Sequence, residues 1–238
     1  MGWRKYLVGS LLALMPCVVS ANSLGNSDYT AAYEAYNRAK TATSLKVSTD
    51  AYADAISLVA KAVTKEPERF DYLVLASLIY RGKGGASYAQ NYFLQAEKVI
   101  RAQIAADPND IEAHLNYAIL CYAGDGQFSQ KALYYRREAQ KEANLVVRLC
   151  QKALKENPKA VGLRRPEAMA YLIKGNKREC KKLLQDAANE SDADKIVAEL
   201  YENTVEKNKW KWDVREVDKE FLLYVMLKYP FAVSQRDL

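Results

Sequence analysis

The sequence predicts an all-α protein made of stacked helix pairs. Three observations carry that prediction. Ala, Tyr, Lys and Glu dominate the body of the chain, while only 10 Gly and 6 Pro occur in 238 residues. Helix formers are therefore abundant and helix breakers sparse. Small and apolar residues recur at helical spacing. Pro67, Pro108 and Pro158 stand at equivalent junctions, each after one amphipathic run and before another. Proline cannot continue a helix but is tolerated in the first turn of the next. Half of the residues are hydrophobic and 27% are charged, which excludes a disordered tail.

Residues 1–22 read as a secretory signal peptide. Arg4 and Lys5 give a basic start, residues 6–15 an apolar run, and Val19-Ser20-Ala21 a small-residue cleavage pattern, with the cut after Ala21. The run is shorter than the roughly 20 residues a spanning helix needs. The alternatives are an N-terminal membrane anchor and a lipoprotein joined through Cys17, which Leu14 suits and Pro16 does not. Export would place the protein in the periplasm or outside the cell. Cleavage leaves 33 Lys/Arg against 29 Asp/Glu, a net charge of +4, and three cysteines: Cys121, Cys150 and Cys180. An odd count in an exported chain argues against a disulfide framework. A Cys121–Cys150 bond is conceivable, but a role as small buried apolar side chains fits all three.

The apolar spacing predicts helices over 28–41, 50–65, 69–81, 87–106, 110–122, 129–157, 163–174, 176–190, 193–207 and 214–228. Ala55, Val59 and Ala62 precede Pro67, and Leu73, Ala76 and Tyr80 follow it. Arg81 to Gly85 is a turn; it lacks the spacing of a phosphate-binding loop. Ala96, Ile100 and Gln103 precede Pro108, and His114, Tyr117, Ala118 and Cys121 follow it. The 129–157 segment holds neither Gly nor Pro and would run about 43 Å at 1.5 Å per residue. Its Ala139, Ala143, Val146, Cys150 and Ala153 alternate in steps of four and three. That seam is too Ala-rich and short for an intermolecular coiled coil, so the helix packs along its neighbours. Ala168 and Tyr171 follow Pro158, and Cys180, Leu184 and Ala187 form a last copy with Asp192 in the place of proline. Ser191–Asp194 and Asp213–Glu216 look like capping boxes, and Lys209-Trp210-Lys211-Trp212 lies between the helices they open. The final helix carries an unbroken apolar run, Phe221 to Leu227, so it is tucked against the rest of the chain or buried in a partner.

These recurring offsets resemble the tetratricopeptide repeat (TPR) family, a helix-turn-helix unit of 34 residues with small residues where its two helices cross. The proline spacings of 41 and 50 residues imply loops of unequal length. The resemblance covers roughly residues 29–192 and implies a right-handed α-solenoid of TPR-like hairpins. The expected organisation is a signal peptide over 1–21, repeats over 22–192, and C-terminal capping helices over 193–238 in the same structural unit. It also implies a groove lined by first helices, here Asp71, Val74 and Leu78, then Glu112, Leu115, Asn116 and Ile119, then Gly162, Arg165 and Met169. Only Asn116 and Arg165 suit a carboxylate clamp, so an apolar groove with a basic end is expected instead.

Charge is the strongest functional signal. Residues 22–129 hold 10 Lys/Arg and 12 Asp/Glu, residues 130–185 hold 15 and 5, and residues 186–238 hold 8 and 12. The middle block includes Arg136, Arg137, Arg164, Arg165, Lys177, Arg178, Lys181 and Lys182. Such an excess attracts an acidic protein or peptide, an anionic lipid or an anionic glycan; nucleic acid does not fit the export signal. The acidic C-terminal block folding back would neutralise it. With one histidine, His114, and no CxxC, no metal site, cofactor or catalytic triad is expected. The expectation is an exported, non-enzymatic scaffold that binds a protein or peptide as adaptor, assembly factor or chaperone. The alternatives are an oligomer assembled through the 214–228 helix and an enzyme acting on cell-wall glycan through paired carboxylates such as Glu66/Glu68.

Overall fold

A computed structural model of the chain describes residues 27–124, 131–189, 191–208 and 214–229. The signal-peptide segment, the Lys209–Trp212 stretch and the Asp213 cap lie outside the described residues. The described residues form ten α-helices and no strand. These are α1 (Ser27–Thr41), α2 (Leu45–Lys65), α3 (Phe70–Lys83), α4 (Ala86–Ala106), α5 (Ile111–Gly124), α6 (Ala132–Glu156), α7 (Arg164–Ile173), α8 (Lys177–Ala187), α9 (Asp192–Tyr201) and α10 (Val214–Lys228). Helices adjacent in sequence pack in pairs, as a helical repeat requires. The chain divides into two compact units, Met1–Val99 and Ile100–Leu238, with α4 shared between them.

In the first unit, α1 pairs with α2, and α3 packs on α2. The α2 helix begins five residues earlier than the apolar spacing indicates. Ser44 caps it, accepting from the Val47 amide at 3.3 Å, and a hydroxyl at this position satisfies one of the open first-turn amides. Ala51, Ala55, Val59 and Ala62 form its buried stripe, facing Tyr29, Ala32, Tyr33, Ala35 and Ala39 of α1. Alanine stripes let the two axes approach closely. Ser48 Oγ donates to the Ala39 carbonyl at 3.0 Å across that approach, and Ser77 Oγ donates to the Ala89 carbonyl at 2.8 Å between α3 and α4. Gly84 ends α3 with φ of 91°, a left-handed turn that glycine adopts without strain.

In the second unit, α5 pairs with α6, α7 with α8, and α9 with α8, while α7 also lies on α5 and α6. Ala118, Cys121, Ala143, Val146, Cys150, Ala168 and Cys180 are fully buried, so the small-residue offsets mark the crossings. Gln103 is the exception: it is exposed. The α6 helix runs 25 residues, about 38 Å. A 3-10 turn, Val161–Leu163, precedes α7, and Pro166 fits in that helix's first turn, where its amide would have no partner. The α9 helix loosens into a π-type turn over Glu202–Glu206. The three cysteines are buried and none is in a disulfide.

The α10 helix returns to lie on α5 and α7 and on the Glu202–Glu206 turn. Phe221, Leu222, Leu223, Val225, Met226 and Leu227 are all buried. Phe221 meets Tyr201 edge-on at 5.6 Å, and the Arg215 guanidinium sits 5.0 Å from the Tyr122 ring centre. Its apolar run is thus covered within the chain.

Candidate functional site

The basic block occupies α6, α7 and α8, and its cations divide by location. Tyr135, Ala139, Glu142, Ala143, Val146 and Cys150 form the buried side of α6. Opposite them, Arg137, Lys141, Arg148, Lys152 and Lys155 are exposed. At 100° per residue these five fall within about 60° of one another. They form one stripe about 27 Å long, from residue 137 to residue 155, with Asn144 in its middle. No carboxylate lies on the stripe itself. Lys141 reaches sideways to Glu138 at 3.5 Å and Glu142 at 3.4 Å. Arg136 is exposed beside the stripe, and the exposed Leu133 and Tyr134 stand at its N-terminal end.

Several cations of α7 and α8 already meet carboxylates of the chain, two of them at covered positions and Lys181 at the surface. Arg165 Nε lies 3.1 Å from Asp194 Oδ1, with both side chains nearly covered. The contact is not aligned as a hydrogen bond; it is a charge contact, and burial pulls the guanidinium down against the attraction of Asp194 and Glu112. Lys177 donates to Asp218 at 2.7 Å, joining α8 to α10. Burial raises the Asp218 carboxyl in spite of that bond. Lys181 lies 2.8 Å from Glu202 and 3.9 Å from Glu206. Arg164 is half-buried, whereas Arg178 and Lys182 are exposed, Lys182 at 3.8 Å from Glu179.

The groove positions implied by the repeat resemblance are covered in the second unit. Leu115, Ile119 and Met169 are fully buried, and α10 lies over the two helices that carry them. Asn116 is half-buried, and its Oδ1 has no hydrogen-bond partner among the described residues. It and Arg165 sit on neighbouring helices, but Arg165 is turned to Asp194.

One constellation escaped the sequence analysis. His114 and Glu142 are buried together, with Nδ1 at 2.6 Å from Oε2. The other ring nitrogen, Nε2, lies 3.0 Å from the Pro108 carbonyl, which can only accept. An imidazolium donating to both oxygens satisfies every group. The Glu142 bond chiefly raises the His114 pKa against the cost of burial. Burial acts upward on Glu142 too, but His114 and Lys141 bring it below the usual carboxylate range. The available signal was Glu142 itself, a carboxylate inside the α6 seam.

Glu66 accepts from Tyr72 Oη at 3.2 Å and is paired with Arg69 at 3.4 Å, a structural arrangement. Among the described residues, no group of three His, Cys, Asp or Glu side chains converges as a metal site, and no helix is long and apolar enough to cross a membrane. No family model matches the chain, and no curated protein aligns with it.

Proposed function

We propose that the chain is an exported, non-enzymatic scaffold of tetratricopeptide type that binds an acidic protein segment along the outward stripe of α6. In this reading the hairpins form a right-handed solenoid, with α9 and α10 as its caps. The observation that carries it is the stripe Arg137, Lys141, Arg148, Lys152 and Lys155, on a helix whose opposite side is locked into the core. A rigid helix presents these charges in a fixed row, so an extended acidic segment loses little of its attraction to rearrangement. Arg178 and Lys182 on α8 are further exposed cations of the block. Arg165 and Lys181 of the basic block serve less directly, because each already meets a carboxylate.

The test is fluorescence anisotropy with a labelled peptide rich in Asp and Glu, titrated at several salt concentrations. The variant is Arg137→Glu/Arg148→Glu/Lys152→Glu/Lys155→Glu, all at exposed positions. Wild type is expected to bind with an affinity that weakens as salt rises, and the variant to lose at least about tenfold at low salt. Equal affinity of the two proteins would refute the assignment.

A further inference from the structure

We infer that the first unit carries a second, independent docking surface, which fits the headgroup region of an anionic lipid bilayer. The surface is the end of the unit that bears the α1–α2 and α3–α4 turns. Because the helices run antiparallel across short turns, the C-termini of α1 and α3 and the N-termini of α2 and α4 share this end.

Large apolar side chains are displayed there. Leu45 is 80% exposed, Tyr88 62% and Val47 56%. Leu45 and Val47 sit in the first turn of α2, held outward by the Ser44 cap. Tyr88 sits in the first turn of α4, stacked on Tyr80 at 5.1 Å, and Tyr92 stacks on Tyr80 at 5.5 Å. Tyr36 and Tyr52 meet edge-on at 6.3 Å nearer the other hairpin. Tyrosines of this kind offer an apolar body and a wet tip, the combination a membrane interface accommodates.

Charge at this end is mostly positive. Arg38, Lys40, Lys46, Arg81 and Lys83 stand against Asp50 and Asp54, the latter 3.9 Å from Arg38. At the other end, Asp28, Glu66, Glu68 and Asp71 stand with Lys61, Lys65 and Arg69, and Lys65 pairs with Asp28 and Arg69 with Asp71. Lys46 occupies the first turn of α2, where a helix favours a carboxylate. That local cost is offset when the lysine meets an anion. Apolar tips on protruding turns, ringed by cations, suit a fluid surface that can close around them; they do not form the concave pocket that a folded partner's side chain would need.

The experiment uses the full chain with a single reporter cysteine carrying a polarity-sensitive dye, at Thr43→Cys in the α1–α2 turn or at Glu68→Cys at the opposite end. Cys121, Cys150 and Cys180 are buried; the fourth cysteine, Cys17, is replaced by Cys17→Ser in every protein, and Cys17→Ser alone, taken through the labelling, measures any background. Vesicles of equal parts phosphatidylglycerol and phosphatidylcholine are added, with pure phosphatidylcholine in parallel. The expected result is a blue shift at position 43 with anionic vesicles only, and none at position 68. Lys46→Gln/Arg81→Gln/Lys83→Gln should weaken the response about fivefold per cation, and Leu45→Ser/Val47→Ser/Tyr88→Ser should abolish it without altering the far-ultraviolet spectrum. No shift at position 43 overturns the inference, as does an equal shift at both positions. Light scattering that shows a dimer broken by the Leu45/Val47/Tyr88 variant assigns the surface to a second copy and overturns it as well. Lipid response abolished by the α6 reversals but not by these variants would transfer membrane binding to α6. The acidic-peptide assay is unaffected by any of these outcomes, so the two proposals fail separately.

Discussion

The buried His114–Glu142 pair makes the second unit's stability depend on pH in a way that one substitution can isolate. Both residues are less than 6% exposed. The imidazolium holds Glu142 through Nδ1 and the Pro108 carbonyl through Nε2, tying α5 to α6 and to the turn before α5. His114→Ala leaves the Glu142 carboxylate buried with only Lys141, at 3.4 Å, to offset it. Removing one partner of a buried pair costs about 3–5 kcal/mol. The histidine pKa is raised in the folded chain, so its stabilisation is complete below the unfolded value of about 6.5 and is lost as pH rises through the folded value. Over that interval stability should fall by up to about 1.4 kcal/mol per pH unit. Glu142 is shifted the other way; its contribution is present above the unfolded value of about 4.3 and disappears as pH falls through its folded value. The pair therefore works best in mildly acid solution, between those limits. Urea unfolding followed by circular dichroism, at pH values from about 6 to about 9, measures the slope. Glu142→Gln keeps the shape and the neighbours Asp110 and Lys141 while removing the charge. It should flatten the part of the slope due to His114. The raised carboxyls of Glu167 and Asp218 are unchanged by it and cancel in the comparison. Parallel pH profiles for wild type and Glu142→Gln would refute the assignment of an imidazolium.

Other outcomes follow from single contacts. Lys177→Met strands the Asp218 carboxylate beneath α10 and should cost about 3 kcal/mol; Lys177→Met/Asp218→Leu should recover much of it, and a double-mutant cycle by urea unfolding measures the coupling. Gly82→Ala would put a methyl group 2.8 Å from the far end of the Tyr52 ring, so the ring must swing aside and the roughly 1 kcal/mol that alanine otherwise adds to a helix should not appear, read as a thermal midpoint of the first unit that does not rise. Cys121, Cys150 and Cys180 are buried, and burial pushes the thiols of Cys150 and Cys180 up. A charged thiol reagent should therefore leave all three unmodified until denaturant is added, and then modify the same number with or without prior reduction.

The fold was legible because its signal is local. Ala55, Val59 and Ala62 lie on one helix stripe, and so do Ala143, Val146 and Cys150; all six are fully buried. The proline junctions placed most helix ends within two residues. Some boundaries moved further: α8 ends at Ala187, α9 gives way to the π-type turn after Tyr201, and α2 starts early; at α2 a cap decided it. Ser44 opens α2 ahead of its apolar stripe, and spacing alone does not register a hydroxyl bond to an amide. Tyr80 and Tyr171 hold repeat positions yet are only half-buried, because a tyrosine that fills a flank keeps its hydroxyl in water. Pairings between distant segments were illegible. His114 and Glu142 are 28 residues apart, and the sequence offers no rule that brings a mid-helix histidine to one particular carboxylate. The direction of α10 was open for the same reason: an all-round apolar helix states that it will be covered, not by what.

The basic block shows why a charge count and a binding surface differ. Arg165 and Lys177 stand in the first turns of α7 and α8. Cations there oppose the helix dipole, which favours carboxylates at that end. Asp194 of α9 and Asp218 of α10 supply the missing negative charge from later elements. These cations therefore act on the docking of α9 and α10. A polar contact of this kind can select one arrangement among several apolar ones even where its net energy is small. Their charge is largely spent before any partner arrives. The cations of α6 differ in every respect. They all lie beyond the helix's first turn, outside the reach of its N-terminal dipole, they face solvent, and their stripe contains no carboxylate. The excess available to an outside partner is thus smaller than the fifteen basic residues of the block suggest, and it is concentrated on one rigid helix. Added salt should consequently weaken peptide binding at α6 well before it loosens the largely buried Lys177–Asp218 contact, because screening acts on exposed charges far more than on covered ones.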